Sequence, residues 1–459
     1  MRNWQGKKVL VIGAARQGLA AARYLAGKEA SVLINDTRPK EAFGTVLKEL
    51  ENLNIGTHFG NHPIQLLKDI DSVCISGGVP LNLPIIQEAL KSGIHLTNDS
   101  QIFMEEVKAK IIGITGSAGK TTTTILIGAI ARAYVGENQK VWVGGNIGDP
   151  LINYVDEIRP DDWVIIEISS FQLEQMDISP YIAVVLNITP NHLDRHGTMM
   201  AYIAAKSRIL TNQNTSDICV LNREDTGSKD LFGLVAGKLA TFGMDRPQNK
   251  PGVFSHKGEI LFTDGKKEIS LVERDTLQLP GNHNFLNALA ACATALAAGF
   301  DPKAMQEGIR SVEGIPHRLE LVREIGGVRW INDSIATAPE RVIAAIHAIE
   351  QPLVLLLGGR DKDLPWESLV ALLHEEKPKT ILFGEAANLI ESAILQFEKG
   401  NPAYPLFVKN AFEEAFSKAV DISEPGETVL LSPGGTSFDA YRDFEERGEH
   451  FRTLVEGLA

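Results

Sequence analysis

The segment IIGITGSAGKTTTTILIGAIA at 111–131 constrains the chain more than any other. Its apolar run predicts a buried strand, its glycines at 113, 116 and 119 a tight turn, and the Lys-Thr start of the next apolar stretch a helix. Glycine lets a backbone approach a ligand closely, and amides at a helix start attract phosphate oxygens. Gly116, Ser117, Ala118 and Gly119 would form such a cradle, closed by Lys120, Thr121 and Thr122. Lys120 brings charge for the outer phosphates, and the Thr121 hydroxyl is suited to magnesium. Ile114 stands where the usual GxxxxGK[ST] spacing has its first glycine. An ordinary glycine turn is the bland alternative; strand, turn, Lys-Thr and helix in this order favour a nucleotide.

The phosphate chemistry has to be local, because the 459-residue chain carries a formal net charge of -13, which repels a nucleic-acid backbone. With 44% hydrophobic and 22% charged residues it has apolar side chain for several cores, and at about 150 residues per domain three domains are expected. Cys74, Cys219 and Cys292 form no CxxC pair and read as buried free thiols. The amino terminus shows no apolar signal core, and no apolar run reaches the eighteen or so residues of a membrane span. A cytoplasmic monomer that touches neither membrane nor nucleic acid is expected.

Short apolar runs alternate with helical patterns from Lys7 to about Val107, the rhythm of a parallel sheet with crossover helices. A second series begins with IIGIT and continues through VWVGGN, WVIIEIS, AVVLNIT and ICVLN. Between Leu239 and Gly281 the segments shorten and read as antiparallel hairpins. A helix is predicted from about His283 to Gly299, and the turn at Gly314-Ile315-Pro316 precedes a hairpin, LELVREIGGVRWIND, that opens a third α/β series. The expected domains are 1–107, 108–314 and 315–459.

Three further segments carry polar groups where α/β sheets gather ligands. Glu167 closes the apolar WVIIE run, where an unpaired carboxylate is costly to bury; on this segment alone a cation, a salt bridge and a surface position all remain open. In NHLDRHG, His192 and His196 have zinc-like spacing but no third ligand follows. Lys206, on the next predicted helix, reads by itself as an exposed lysine. VLVIGAARQG with Asp36 downstream looks like a dinucleotide fingerprint, yet Ala15 replaces the middle glycine that lets a pyrophosphate come closest.

The ordered set TGSAGKTT, GGNIG, EISSFQLE, NHLDRHG, GNHNFLNALAA, GIPHRLE, NDSIAT and LLSPGGTSFDAYRDFEERG resembles the Mur ligase family from Lys7 to the end. The resemblance implies three α/β domains: a Rossmann-like amino-terminal domain, a central P-loop ATPase-like mononucleotide-binding domain and a Rossmann-like carboxy-terminal domain. It implies ATP and Mg2+ as cofactors, and the addition of D-glutamate to UDP-N-acetylmuramoyl-L-alanine. Gly13, Arg16, Gly18, Asp36, Thr37 and Arg38 then match positions that hold the uridine diphosphate end. Thr121, Glu167, His192 and a carbamylated Lys206 match magnesium ligands, and Lys120, His192 and Lys206 are the implied catalytic groups. Asn146 matches a contact to phosphate or substrate. Asn284, Asn287, His317, Arg318 and Asp333 match positions that hold adenosine, while Thr337, Lys362, Ser437 and Phe444 match those that hold glutamate. Ile335, Gly434-Gly435-Thr436 and Ser76-Gly77-Gly78 depart from the family's NDSKAT, Ala-Cys-Ala and Ser-Pro-Gly patterns.

Because a carboxylate does not react with amines at neutral pH, the implied route phosphorylates it first and lets the glutamate amine displace phosphate. Rival readings are a folylpolyglutamate synthase-like ligase, disfavoured by the α/β domain before the P-loop, a slow nucleotide switch, and an NAD-linked dehydrogenase.

Overall fold

The apolar runs near the amino terminus become five parallel strands: β1 (Lys8–Ile12), β2 (Ser31–Asp36), β3 (Gly56–Phe59), β4 (Ser72–Ile75) and β5 (His95–Thr97). Their order is β3-β2-β1-β4-β5. The chain winds outward from β1 to β3 and then crosses to β4, so the strand order reverses between β1 and β4. A crevice opens at the carboxyl ends of strands at such a reversal. Gly13 follows β1 and Ser76 follows β4, which brings both turns to that edge. Val9, Leu10, Val11 and Ile12 are all fully buried, as expected of a strand covered on both faces.

This computed structural model describes residues 3–44, 46–146, 149–279, 281–361, 364–397 and 404–458, without the side chains of Asp194 and Arg274. They fall into two compact units, Met1–Glu313 and Gly314–Ala459.

The first unit also holds a nine-stranded sheet: β6 (Lys110–Thr115), β7 (Val141–Gly145), β8 (Trp163–Glu167), β9 (Ile182–Val185), β10 (Ile218–Asn222), β11 (Lys238–Phe242), β12 (Gly252–His256), β13 (Glu259–Thr263) and β14 (Glu268–Glu273). The order is β14-β13-β12-β11-β10-β9-β6-β8-β7. Strand β6 lies between β8 and β9, so the turn after β6 is flanked by Glu167 on one side and the segment after β9 on the other. Strands β12 to β14 form the expected antiparallel hairpins. Strand β11, expected in the same hairpin region, instead runs parallel to β10. Residue alternation reports which face a strand buries and carries no information about the direction of its partner.

The second unit contains β15 (Glu320–Ile325), β16 (Val328–Asn332), β17 (Leu353–Gly358), β18 (Lys379–Phe383), β19 (Leu406–Val408) and β20 (Thr428–Gly434), in the order β15-β16-β20-β17-β18-β19. The expected hairpin is β15 paired antiparallel with β16, and the other pairings are parallel. Loops after β16, β17 and β20 therefore leave the same edge. Among the described residues, no helix is long and apolar enough to cross a membrane, and the three cysteines are buried free thiols.

The helix that follows β6, Lys120–Tyr134, is held from behind by the helices Asn282–Ala298 and Pro302–Arg310. Contact with the second of these depends on Gly308, where a Cβ would run into the backbone of Ala129 and Ile130. Neither backbone can turn aside as a side-chain tip would. Gly308→Ala should therefore weaken the protection of amides in Lys120–Tyr134 by about 1–3 kcal/mol, the usual cost of overpacking. Hydrogen exchange measures this, and unchanged protection would show that the two helices separate freely.

Candidate active site

The turn after β6 is fastened to the segment after β9. The Ser117 amide donates to the Asn187 carbonyl (3.0 Å), the Ala118 amide to Asn187 Oδ1 (2.9 Å), and Asn187 Nδ2 to the Ala118 carbonyl (3.1 Å). Ser117 Oγ donates to the Thr189 carbonyl at 2.9 Å and accepts from the Thr189 amide at 3.0 Å. Gly119 has a φ of +82°, and its missing side chain leaves room for Asn287, whose Nδ2 donates to Asn284 Oδ1 at 3.4 Å. A residue with a Cβ would be strained there and would strike Asn287. The start of Asn282–Ala298 thus abuts the turn that opens Lys120–Tyr134.

Two lysines converge on one oxygen. Lys120 Nζ donates to the Gly116 carbonyl at 3.0 Å, and Lys206 Nζ donates to the same carbonyl at 2.9 Å and to Thr115 Oγ1 at 3.5 Å. Lys206, read from its own segment as exposed, is only 1% exposed. The helix Met199–Thr211 carries it inward on the same face as Tyr202, one turn earlier, with the amine 4.7 Å from the Tyr202 ring centre. Burial, and then the Lys120 charge, pull its pKa down to about 6, with Glu167 opposing them. At neutral pH the amine is mostly uncharged, which is the nucleophilic form.

Beside the lysines, Thr121 Oγ1 donates to Glu167 Oε2 at 2.8 Å, and Asn146 Nδ2 donates to Glu167 Oε1 at 3.1 Å. Glu167 is 2% exposed, which rules out the surface position left open by its segment. A buried carboxylate bonded by two neutral donors, with a hydroxyl oxygen next to it, is a hard-oxygen donor set that fits a small divalent cation. His192 begins the short helix Leu193–His196 in a left-handed conformation and touches the Phe171 ring edge-on at 5.1 Å between centres. His196 meets the Ser170 hydroxyl at 3.0 Å and stacks on Phe171. The described residues contain no group of three His, Cys, Asp or Glu able to hold a metal, so nothing adds the third ligand that zinc at His192 and His196 would need.

At the edge of the first sheet, the buried Asp36 accepts from the Ala14 amide at 2.7 Å and from the Arg38 guanidinium at 3.0 and 2.9 Å. Burial alone would raise its pKa, but these bonds outweigh burial and keep the carboxyl below its ordinary range. Oδ2 of Asp36 thus closes the Gly13–Gly18 turn through the Ala14 amide, while Oδ1 holds the Arg38 amide and guanidinium, the latter adding positive charge beside it.

In the second unit, the loop after β16 is tied to the end of β20 and to the helix Phe444–Glu456. Asp333 Oδ2 accepts from Ser432 Oγ at 2.9 Å and Oδ1 from the Leu319 amide at 3.2 Å. Burial pushes its carboxyl up to about 6 despite these donors and the nearby Arg318 and Arg341. His317 sits against the edge of Phe444, and its carbonyl accepts from the Ile335 amide at 3.1 Å. Thr337 follows in this loop, and Ser437 is buried just beyond β20. Lys362 lies outside the described residues, as do Ile147 and Gly148 of the GGNIG segment.

Sequence reading missed Arg447, which is fully buried and donates to Ser334 Oγ at 3.0 Å and to the Ser334 carbonyl at 2.9 Å. The signal was its spacing: it shares a helical stripe with Phe444, Phe451 and Val455, which points it inward. Asn187 and Tyr202 were also missed, and no local pattern marks Asn187.

The profile of the Mur ligase MurD-like, N-terminal domain matches residues 7–98, that of the Mur ligase middle domain 114–295, and that of the Mur ligase, glutamate ligase domain 317–435. A UDP-N-acetylmuramoylalanine-D-glutamate ligase from Symbiobacterium thermophilum is 38% identical over 454 residues, covering 99% of this chain and 98% of that one. Its counterpart from Clostridioides difficile is 36% identical over 458 residues, with 99% of each chain covered. The fold is shared with UDP-N-acetylmuramate-alanine ligase from Thermotoga maritima (TM-score 0.58, 18% identity, 98% and 99% covered). It is shared also with Escherichia coli FolC in complex with DHPP and ADP (TM-score 0.54, 16% identity, 78% and 92% covered). With three successive domain profiles matched and full-length relatives above one-third identity, the chain belongs to the Mur ligase family.

Proposed function

We propose that the protein joins D-glutamate to UDP-N-acetylmuramoyl-L-alanine at the expense of ATP, through an acyl phosphate, in the cytoplasmic synthesis of peptidoglycan precursors. The observation that carries the reading is the convergence of Lys120, Lys206, Thr121 and Glu167 at the turn after β6. A phosphate loop alone would serve a switch protein equally well. A buried, largely neutral lysine beside it has no use there.

The start of Lys120–Tyr134 receives the phosphates of ATP, with Lys120 spreading charge from the group in transit. Lys206 in its neutral form attacks carbon dioxide, forming an N–C bond and releasing a proton, and so becomes an anionic carbamate. That change places a negative charge next to the Lys120 ammonium and adds an oxygen donor near Glu167. Thr121, Glu167, His192 and the carbamate would hold magnesium, which neutralises negative charge on the phosphates when bound. Asn146 orients Glu167 and the acceptor, and Asn284 and Asn287 border the nucleotide. The loop carrying Gly13, Arg16, Gly18, Asp36, Thr37 and Arg38 binds the uridine diphosphate end. In the second unit, His317, Arg318 and Asp333 serve the adenosine, and Thr337, Lys362, Ser437 and Phe444 the glutamate. The enzyme's contribution is positioning and electrostatic stabilisation.

The direct test is ADP release from the purified chain. It should be rapid only when UDP-N-acetylmuramoyl-L-alanine and D-glutamate are both present. Equal release without either, or better use of L-lysine than of D-glutamate, would overturn the reading.

Lys206→Ala should lose almost all turnover and regain part of it with added formate or acetate, whose oxygens replace those of the carbamate. Steady-state rates with and without these acids measure the effect. Full activity in the unsupplemented variant would return Lys206 to a packing role.

Asp333 yields a prediction about stability. Its folded carboxyl takes up a proton below about pH 6, whereas a carboxyl with the ordinary value of 3.8 does so only well below that. The raised value favours the fold at low pH, and this contribution is lost as pH rises through 6. Asp333→Asn removes the buried charge, so at pH 7.5 it should stabilise the second unit by about 2 kcal/mol while lowering ligation, and the stability gain should vanish near pH 4. Thermal melts across this range would expose an opposite trend.

A further inference from the structure

Arg195 belongs to none of the groups assigned so far, yet it links the loop carrying His192 to the edge of the first sheet. Its Nη1 donates to the Gly78 carbonyl at 3.2 Å and its Nη2 to the Val79 carbonyl at 2.7 Å. These carbonyls belong to the turn after β4, which packs directly on the turn after β1. A Cβ on Gly13 would lie 2.8 Å from Val79 Cγ2 and 2.9 Å from Ser76 Cβ. Gly77-Gly78 offers no ring to stiffen that turn, so a forked cation holding two successive carbonyls supplies rigidity from outside.

On its other side the Arg195 guanidinium lies 3.9 Å from the Phe171 ring centre. Phe171 stacks on His196 at 5.2 Å, His196 meets Tyr202 at 5.1 Å, and the Tyr202 hydroxyl is 3.0 Å from Ser117 Oγ. Ser117 is part of the phosphate turn. A continuous series of packed groups therefore runs from the phosphate turn to the Gly13 turn and ends in the Arg195 fork. A second junction, Gln17 Nε2 to the Gly145 carbonyl at 3.4 Å, stands beside Asn146.

We propose that Arg195 is a positioning residue that couples the two nucleotide-binding turns, so that ATP in the phosphate turn tightens the site for the uridine nucleotide. The proposal rests on the function given above and adds the direction in which the two sites communicate. Coupling of this kind is reciprocal, so each ligand strengthens the other by the same factor.

Calorimetric titration of the full chain tests it, with UDP-N-acetylmuramoyl-L-alanine and a non-hydrolysable ATP analogue with magnesium as probes. In the native protein the analogue should lower the Kd of the uridine nucleotide by about fivefold or more. In Arg195→Ala the factor should fall below about twofold, with the analogue alone still binding within about threefold of native. Arg195→Lys, which keeps the charge and loses the fork, should fall between them. Native coupling retained in Arg195→Ala would overturn the proposal, as would absence of coupling in the native protein or failure of Arg195→Ala to bind the analogue at all. A native chain that neither binds the uridine nucleotide nor releases ADP with D-glutamate would overturn the functional reading. One that does both, with coupling indifferent to residue 195, would overturn this proposal alone.

Discussion

Two lysine amines and a carboxylate meet at the carboxyl edge of the central sheet, with Lys206 and Glu167 buried and Lys120 partly exposed. Lys120 and Lys206 both bond the Gly116 carbonyl, and Glu167 stands within reach of the Thr121 hydroxyl. Two ammonium ions on one oxygen repel each other strongly where the dielectric is low, so the more deeply buried of the pair gives up its proton. Glu167, buried beside them, accepts from the neutral donors Thr121 and Asn146. The proposed functions of the site, holding a divalent ion and anionic phosphate beside a carbamylated lysine, draw on this arrangement of charge.

The rest of the first unit reads as support for that confinement. Strand β6 sits between β8 and β9, so Glu167 and Asn187 arrive from opposite sides of the turn. Asn187 fastens the turn through three hydrogen bonds, and Gly119 leaves room for Asn287. Gly308 lets a supporting helix approach Lys120–Tyr134 at backbone distance. The first sheet repeats the arrangement on a smaller scale, with Asp36 closing the turn after β1 and Arg195 holding the turn after β4. In both sheets the ligand-facing turns lie where strand order reverses, since only there do neighbouring loops diverge enough to leave a crevice.

Much of this was legible in the linear chain. The phosphate turn, the α/β rhythm, the hairpin that opens the last domain and the free cysteines all rest on local rules: glycine tolerance, apolar period, turn chemistry and cysteine spacing. Glu167 was recognisable as anomalous because a carboxylate closing an all-apolar strand needs a partner. What it pairs with was not recognisable. The zinc-like spacing of His192 and His196 has the same limit, because four-residue spacing places two rings on one face and says nothing about what packs there; His196 packs its ring against Phe171 and Tyr202.

The sequence by itself determined which segments become strands and helices, that a glycine turn at 116–119 opens a helix beginning Lys-Thr, and the family to which the motifs belong, because these depend on residues near one another along the chain. Only the tertiary structure decided that Lys206 is buried, that it shares a carbonyl with Lys120, that Arg447 ties Ser334 to the last helix, and that β11 runs parallel to β10. Each of these is a relation between residues far apart in the chain. Their pKa values and pairings follow from burial and from charges brought close by sheet order, and neither quantity has a value until the strands have taken their places.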